Sequence, residues 1–143
     1  MKIKKAGRKD IPIIEKILSD NNLPYEDIYS KVNCFFIGYK KSKVVGITGV
    51  EIFKDYGLLR SLVVKKSFRG KGFGKTLCLK LIEYAKVNKV KELYLLTTTA
   101  KKFFKKIGFD EFERALVPST IQNTTEFKYL CPSSATCMKM LIN

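Results

Sequence analysis

Apolar residues between positions 34 and 64 occur as three runs separated by short polar stretches. The runs are rich in β-branched and aromatic residues, which favour strands, and they span positions 34–39, 44–53 and 58–64. The intervening segments, Lys41-Ser42 and Asp55-Tyr56-Gly57, have compositions typical of tight turns. The pattern therefore predicts three strands joined as an antiparallel meander.

The spacing of apolar residues changes beyond the third run. One helical stripe is formed by Leu77, Cys78, Leu81, Ile82 and Ala85. A nearly continuous apolar run at 93–96 then predicts a strand that is buried on both faces. Residues 100–107 predict a second helix that ends at Gly108, and further strands are predicted at 109–112 and 138–142.

The N-terminal part predicts a strand followed by a helix. Residues 3–6 favour a short strand, and Asp10 precedes Ile11-Pro12 as a capping carboxylate at a helix start. Apolar residues follow at helical spacing until Asn21-Asn22, where the helix ends. Residues 25–32 are ambiguous, and a short helix is one interpretation.

These elements predict an α+β fold in one domain over residues 1–143. Its mixed, mostly antiparallel sheet is flanked by helices, because strand–helix–strand–helix segments follow a meander. The composition, 45% hydrophobic and 29% charged, is typical of a globular chain. The chain has no histidine. That absence excludes Ser–His and Cys–His catalysis and histidine metal ligands, and no metal site is expected.

Charge and cysteine content limit the expected partners and compartment. With 28 Lys and Arg against 13 Asp and Glu, the net charge is +15, which attracts nucleic acid, acidic membranes or phosphorylated small molecules. Nucleic acid is the less favoured partner, because the aromatic residues are not interleaved with basic ones along one strand. The four cysteines form no Cys-x-x-Cys pair, and no apolar run reaches membrane-spanning length. We therefore expect reduced thiols, a cytoplasmic location and no membrane partner.

A basic, glycine-rich segment lies between the third strand of the meander and the following helix. It reads Arg69-Gly70-Lys71-Gly72-Phe73-Gly74-Lys75. Glycine allows close approach of the backbone to a ligand, and amides at a helix start bind anions. The segment therefore predicts a site for a phosphate-bearing ligand.

Three phosphate-binding motifs compete for this segment. The dinucleotide fingerprint G-x-G-x-x-G fails, because Lys75 stands at the last glycine position. A P-loop ending in Gly74-Lys75-Thr76 requires glycine at the position of Arg69. The pattern Arg-x-x-Gly-x-Gly is met by Arg69, Gly72 and Gly74. A glycine-rich turn without a ligand is the fourth interpretation.

The chain resembles the GCN5-related N-acetyltransferases over essentially its whole length. The resemblance rests on Leu62-Val63-Val64, the loop from Arg69 to Gly74, and Phe103-Phe104-Lys105-Lys106-Ile107-Gly108-Phe109. The segments 95–100, 117–118, 125–127 and 130–135 are similar to a subgroup of amino-acid N-acetyltransferases associated with arsenic-resistance genes. The resemblance implies a sheet splayed at the strand that ends at Val64.

The resemblance also implies acetyl-CoA as co-substrate. Main-chain amides of Leu62 and Val64 would pair with the pantetheine arm, and an N–H near Leu62 or Val63 would stabilise the oxyanion. Amides from Arg69 to Lys75 would hold the pyrophosphate. The implied cofactor-binding residues are Leu62, Val63, Val64, Arg69, Gly70, Lys71, Gly72, Phe73, Gly74, Lys75, Thr99 and Phe104.

The catalytic and substrate residues are less well defined. Without histidine, the base that deprotonates the amine is expected to be a carboxylate, with Glu51 the first candidate and Glu126 the second. Phe104 replaces a tyrosine that many relatives use as the acid. The expected substrate residues are two arginines that bind a carboxylate and two residues that line the pocket, namely Arg60, Arg114, Thr125 and Tyr129.

The predicted function is acetyl transfer from acetyl-CoA to the primary amine of a small molecule, an amino acid or a related compound, by direct attack. A homodimer is one expectation. Two alternatives stay open: a catalytically weak acetyl-CoA sensor, and a basic nucleic-acid-binding module.

Overall fold

A computed structural model of the protein describes residues 1–130 and 133–142, with the side chains of residues 129 and 130 left out of the description. Its strands form one seven-stranded sheet in the order β1-β2-β3-β4-β5-β7-β6. Their bounds are Lys2–Lys5 (β1), Phe35–Lys40 (β2), Lys43–Phe53 (β3), Tyr56–Val64 (β4), Glu92–Thr97 (β5), Asp110–Glu111 (β6) and Thr136–Leu141 (β7).

Strand pairing confirms a mixed, mostly antiparallel sheet. β2 pairs antiparallel with β1 and β3, and β7 pairs antiparallel with β5 and β6. β4 and β5 pair in parallel, with residues 56–58 opposite residues 92–94. β4 continues to Val64 and β5 to Thr97 beyond this short paired region, and Ser61 takes a φ of 58° within β4. The splay of the sheet at the strand that ends at Val64 stays a prediction.

Five α-helices accompany the sheet in the described part of the chain. They are Ile11–Asp20 (α1), Ile28–Lys31 (α2), Phe73–Val87 (α3), Lys101–Ile107 (α4) and Ser119–Gln122 (α5). The 3-10 turns are Arg8–Asp10, Val32–Cys34, Lys66–Phe68 and Arg114–Leu116, and a π-helical turn spans Glu126–Leu130. The helical stripe predicted within α3 is confirmed for four of its five residues, because Leu77, Cys78, Leu81 and Ala85 are fully buried, whereas Ile82 is half-buried.

Two local predictions were wrong. The carboxylate of Asp10 accepts a hydrogen bond from the Gly7 amide at 2.8 Å and caps no amide of α1, because the 3-10 turn Arg8–Asp10 places it beside Gly7, three positions earlier. β4 begins at Tyr56, two residues earlier than predicted, since Tyr56 and Gly57 pair with β5. The turn before it is confined to Lys54 and Asp55, with Lys54 at a φ of 54°.

The chain divides into two compact units, and the prediction of one domain over residues 1–143 stays a prediction. The first unit is Met1–Val50 with Ser61–Ile82, and the second is Glu51–Arg60 with Glu83–Asn143. The core of the first unit contains Ala6, Ile14, Ile17, Leu18, Ile28, Val32, Phe35, Ile37, Ile47 and Val63. The core of the second contains Leu58, Tyr94, Val117, Ile121, Phe127 and Cys137.

Candidate functional site

The glycine-rich segment leaves the end of β4 through a 3-10 turn and becomes the first turn of α3. Gly70 and Gly72 have φ values of 76° and 83°, a backbone conformation that side chains with a Cβ disfavour. A Cβ added at either glycine would meet no heavy atom within 4 Å. These glycines are therefore required by backbone conformation, and the space beside them is open to a ligand.

Successive main-chain amides in this segment have no acceptor among the residues that the structure describes. Arg69 N donates weakly to the Lys66 carbonyl at 3.3 Å, and Thr76 N donates to the Gly72 carbonyl at 3.1 Å. Within the described part of the chain, the amides from Gly70 to Lys75 make no hydrogen bond. Unsatisfied amides at a helix start attract anions, because the helix dipole adds to their partial positive charge.

The charge around these amides is basic. Lys71 and Lys75 are exposed, and the first turn of α3 contains no acidic residue. This arrangement suits a diphosphate, which we expected at this position. The amides from Gly70 to Lys75 define what is called the diphosphate loop below.

The side chain of Arg69 is bonded to other parts of the protein. Its Nε–H donates to the Val64 carbonyl and an Nη2–H donates to Oδ1 of Asn21, each at 2.8 Å. The guanidinium therefore connects the end of β4, the diphosphate loop and the end of α1. Asn21 was noted in the sequence only as a helix end, and no local spacing relates it to Arg69.

Three residues expected at the cofactor, Leu62, Val63 and Val64, lie at the end of β4 in the first unit. Val63 is buried in the core at 5% exposure, whereas Leu62 and Val64 are half-buried. A Cβ at Gly46 would lie 2.3 Å from the Val63 carbonyl oxygen, so only glycine permits this approach. Gly46 is a positional requirement that the sequence analysis did not detect, because its neighbour becomes apparent only in the folded sheet.

Phe104 and Thr99, both expected at the cofactor, have different surroundings in the second unit. Phe104 is buried and makes edge-to-face contacts with Phe103 and Phe109, at centroid distances of 5.1 and 5.7 Å. Thr99 is exposed in a bend after β5. Phe104, a residue of α4, is therefore part of a buried aromatic cluster with Phe103 and Phe109. Its role toward the cofactor stays a prediction.

The second unit contains a buried cluster of charged residues that the sequence analysis had assigned to separate roles. Arg60, Glu51 and Glu126 are 2%, 3% and 4% exposed. An Nη1 of Arg60 lies 3.4 Å from Oε2 of Glu51, and its Nε lies 3.6 Å from Oε1 of Glu126. The structure therefore brings both base candidates to one arginine. This group is called the buried ion cluster below.

The π-helical turn that positions Glu126 is itself fixed by Thr124. The buried hydroxyl of Thr124 donates to the Ile121 carbonyl at 2.7 Å and accepts from the Phe127 amide at 3.3 Å. The resulting geometry turns the backbone so that Glu126 is directed inward at 4% exposure. Sequence spacing gives no indication of this turn, because π-helical turns have no simple residue pattern.

Another predicted substrate residue, Arg114, contacts Phe127, which follows Glu126 in the π-helical turn. Arg114 donates from Nη2 to the Phe127 carbonyl at 2.8 Å, and its guanidinium lies 5.3 Å from the Phe127 ring centroid. Thr125 is half-buried. The side chain of Tyr129 lies outside the described residues. The roles of these three residues toward a substrate stay predictions.

Two cysteine thiols are buried and chemically quiet. Burial raises the pKa of Cys78 to about 12 and that of Cys137 to about 11. Because the thiolate is the reactive form, neither residue is suited to nucleophilic attack near neutral pH. Cys34 is half-buried, and Cys131 lies outside the described residues.

Two further observations concern other classes of site. Among residues 1–130 and 133–142, no group of three or more Cys, Asp or Glu side chains is arranged to hold a metal ion. In the same residues, no helix has the length and apolar character needed to cross a membrane.

Comparison with known proteins supplies an independent view of the whole chain. The family model for the acetyltransferase (GNAT) domain matches residues 31–111. An uncharacterized N-acetyltransferase from Chlorobaculum tepidum is 30% identical over 114 residues, which cover 78% of this chain and 70% of the relative. An amino-acid acetyltransferase from Mycobacterium tuberculosis is 26% identical over 131 residues, which cover 83% of this chain and 74% of the relative.

A solved structure shares the fold at low identity. The N-acetylglutamate synthase from Neisseria gonorrhoeae, solved with coenzyme A and N-acetyl-glutamate, superimposes with a TM-score of 0.85 at 19% identity. The match covers 99% of this chain but 35% of the synthase, so the chain spans about a third of that protein's length.

Proposed function

Because this chain belongs to the GNAT acetyltransferase family, we propose that it transfers the acetyl group of acetyl-CoA to the primary amine of a small acceptor. The acceptor class that we propose is an amino acid or a related compound. Support for that class comes from the names of relatives, among them the M. tuberculosis amino-acid acetyltransferase.

The observation that carries the proposal is the row of amides without acceptors in the diphosphate loop. These amides, from Gly70 to Lys75, would hold the pyrophosphate of the co-substrate, and Lys71 and Lys75 would add attraction at the same point. The positive φ values of Gly70 and Gly72 keep the amides accessible. Amides of Leu62 and Val64 would pair with the pantetheine arm.

The protein's contribution to the reaction is orientation and proton transfer. Bound acetyl-CoA supplies an acetyl group activated as a thioester. The acceptor nitrogen forms the new N–C bond as the C–S bond breaks, and a main-chain N–H near Leu62 or Val63 stabilises the negative oxygen that develops. The amine must lose a proton, for which Glu51 is the proposed base and Glu126 the second candidate.

The thiolate that leaves requires no acidic side chain under this proposal. Phe104 has no hydroxyl, and a thiol of ordinary pKa, about 8.5, leaves readily enough for water to supply its proton. The activation free energy of acetyl transfer therefore depends mainly on the alignment of the amine with the thioester and on removal of the amine proton.

Acceptor recognition is proposed to involve Arg60 and Arg114, with Thr125 and Tyr129 in the pocket wall. Arg60 lies within 4 Å of two carboxylates, so an acceptor carboxylate that binds it would share the guanidinium with Glu51 and Glu126. Resemblance to the arsenic-resistance-associated subgroup adds arsenical amino acids to the acceptors worth testing.

Compartment and assembly are also proposals. Cys34, Cys78 and Cys137 are free thiols in the structure, which suits the reducing cytoplasm that we propose as the location. A homodimer stays a prediction that analytical ultracentrifugation can test.

Two measurements on the intact protein test the proposed function. Calorimetry is expected to detect acetyl-CoA binding at micromolar concentration, and a thiol-release assay is expected to detect turnover with at least one amino acid. Absence of binding at low salt would overturn the proposed co-substrate. Binding without turnover across amino acids, polyamines and arsenical amino acids would instead favour the sensor alternative.

Gly72 provides a matched pair of variants for the diphosphate loop. Gly72→Ala adds only backbone strain at a φ of 83°, whereas Gly72→Glu adds a negative charge as well. We expect Gly72→Glu to raise the Kd for CoA about 100-fold or more, because it repels the phosphates that the amides bind. We expect Gly72→Ala to have a smaller effect. Equal Kd values for Gly72→Glu and the parent protein would contradict this location of the site.

A further inference from the structure

The side chain of Arg69 forms a bridge between two segments of the chain, and one of its partners, Asn21, is 48 positions away in the sequence. One bond goes to the Val64 carbonyl at the end of β4, and the other goes to Asn21 at the end of α1. Both bonds are 2.8 Å long and use different nitrogens of the planar guanidinium. Arg69 directly precedes Gly70, so the bridge restrains the position of the first residue of the diphosphate loop.

The conformation of Asn21 is fixed by hydrogen bonds within the end of α1, independently of Arg69. Its Nδ2 donates to the Ile17 carbonyl at 2.8 Å, which leaves Oδ1 directed away from the helix. The backbone is fixed by a Schellman motif, in which Asn22 N donates to the Ser19 carbonyl at 3.1 Å and Leu23 N donates to the Leu18 carbonyl at 2.9 Å. Asn22 supplies the left-handed residue of the motif, with a φ of 56°.

We infer that Asn21 and Arg69 are positioning residues for the co-substrate, which act by keeping the diphosphate loop in its binding conformation. This inference rests on the proposed function of that loop. The reason is entropic. The loop contains Gly70 and Gly72, which are conformationally free, and its amides have no acceptors among the described residues that would order them in the free protein. Bonds from Arg69 to two fixed carbonyl groups reduce the conformational freedom that phosphate binding would otherwise remove.

The chemistry of the bridge requires arginine at position 69. Its planar guanidinium donates in two directions at once, whereas the single ammonium of lysine is a flexible point donor. Lysine would retain the charge near the loop while losing the fixed geometry. A role in positioning and a role in charge attraction therefore make different predictions for Arg69→Lys.

The chain contains an internal control for Asn21. Asn88 occupies the same position at the end of α3, where its Nδ2 donates to the Tyr84 carbonyl at 2.8 Å. A second Schellman motif follows it, with Lys89 N bonded to the Lys86 carbonyl at 3.0 Å and Val90 N bonded to the Ala85 carbonyl at 3.0 Å. Within the described residues, Oδ1 of Asn88 accepts no hydrogen bond. Asn88→Ala thus removes the same local bond as Asn21→Ala without touching the loop.

The first arm of the test measures the free protein and needs no co-substrate. NMR order parameters of amides 66–74 are expected to fall from about 0.85 toward 0.6 in Asn21→Ala and Arg69→Lys, and to stay at the parent value in Asn88→Ala. Unchanged order parameters in Asn21→Ala would overturn the inference even if the parent protein binds CoA.

The second arm measures CoA affinity by calorimetry. Asn21→Ala and Arg69→Lys are each expected to raise the Kd for CoA about five- to tenfold, while Asn88→Ala keeps the parent Kd. The Kd of the double variant for CoA is expected to equal that of the single variant with the higher Kd, because both changes remove the same bridge. Equal Kd values for Asn21→Ala and Asn88→Ala would refute the inference and leave the proposed function intact, whereas absence of CoA binding by the parent protein would refute the proposed function itself.

Discussion

At the scale of single residues, the buried ion cluster is the feature with the largest chemical consequences. Arg60, Glu51 and Glu126 are almost completely removed from water, and charges in such a position are costly unless they are paired. The contacts of 3.4 and 3.6 Å supply that pairing. A carboxylate that is held in this way has a defined orientation, which is what a proton acceptor needs.

Glutamine substitutions at Glu51 and Glu126 test which of the two carboxylates accepts the amine proton. Glu51→Gln retains shape and hydrogen-bonding capacity but cannot accept the amine proton, so we expect kcat to fall about 100-fold or more with CoA affinity unchanged within about twofold. Glu126→Gln is expected to have the smaller effect on kcat. Steady-state kinetics with a thiol reagent measure both.

Stability must be measured beside these rates, because both residues contact Arg60. Thermal melts identify any variant whose lower rate merely reflects unfolding. Full activity of Glu51→Gln together with a large loss in Glu126→Gln would transfer the role of base to Glu126. Full activity of both variants would remove the carboxylate base from the mechanism.

At the scale of elements, the end of α4 could be predicted from a single local residue, Gly108. Gly108 follows the helix at a φ of 128°, and its amide bonds to the Phe104 carbonyl at 3.1 Å. The amide of Phe109 bonds to the same carbonyl at 3.0 Å. Glycine after an amphipathic stretch predicted this helix end correctly, because few other residues adopt positive φ at low cost.

Gly108→Ala tests how much that helix end contributes to stability. The new Cβ would meet Cε of Met140 at 3.0 Å, which a flexible methionine can relieve, so backbone strain dominates the cost. We expect a loss of about 1–2 kcal/mol and a Tm lower by about 3–6 °C, measured by calorimetry.

A control for this substitution lies at Gly7. Its N-cap φ of −128° suits any residue, and a Cβ there meets nothing within 4 Å. Gly7→Ala should leave Tm within about 1 °C of the parent value. Similar losses in both variants would mean that strain at Gly108 is not the cause.

At the scale of the whole molecule, the net charge of +15 is larger than one diphosphate site requires. Lys71 and Lys75 are exposed near the diphosphate loop, while other lysines lie on surfaces with different neighbours, such as Lys101 paired with Glu111 at 2.7 Å. We therefore expect the charge to act partly as a long-range attraction for anions, in addition to local pairs such as this one.

The salt dependence of CoA binding measures this attraction. Raising NaCl from about 0.05 to 0.5 M shortens the Debye length from about 14 to 4 Å, and we expect the Kd for CoA to rise about tenfold. Pantetheine lacks the phosphates, so its affinity is expected to remain constant over the same range. A Kd for CoA that does not change with salt would contradict the electrostatic contribution.

Much of the architecture was predictable from local patterns. Runs of strand-forming residues located the seven strands, and helical spacing located the longer helices. The start of β4 was misplaced because it depends on pairing with β5, and the capping role of Asp10 was wrong because its carboxylate bonds to Gly7. The backbone conformation of the loop was also predictable, since glycines at a strand-to-helix junction favour positive φ locally, whereas its binding of a diphosphate stays a proposal. The short α5 and the π-helical turn were missed, because tertiary packing stabilises them more than local preference does.

The sequence by itself determined the meander, the two amphipathic helices, the diphosphate loop and the family, since each depends on residues that are near one another along the chain. Only the tertiary structure decided the partners of distant side chains. It brought Glu126 to Arg60, placed Asn21 against Arg69 and brought Gly46 to Val63. The physical reason is that such contacts depend on where separate segments meet after folding, and no spacing within either segment specifies that meeting.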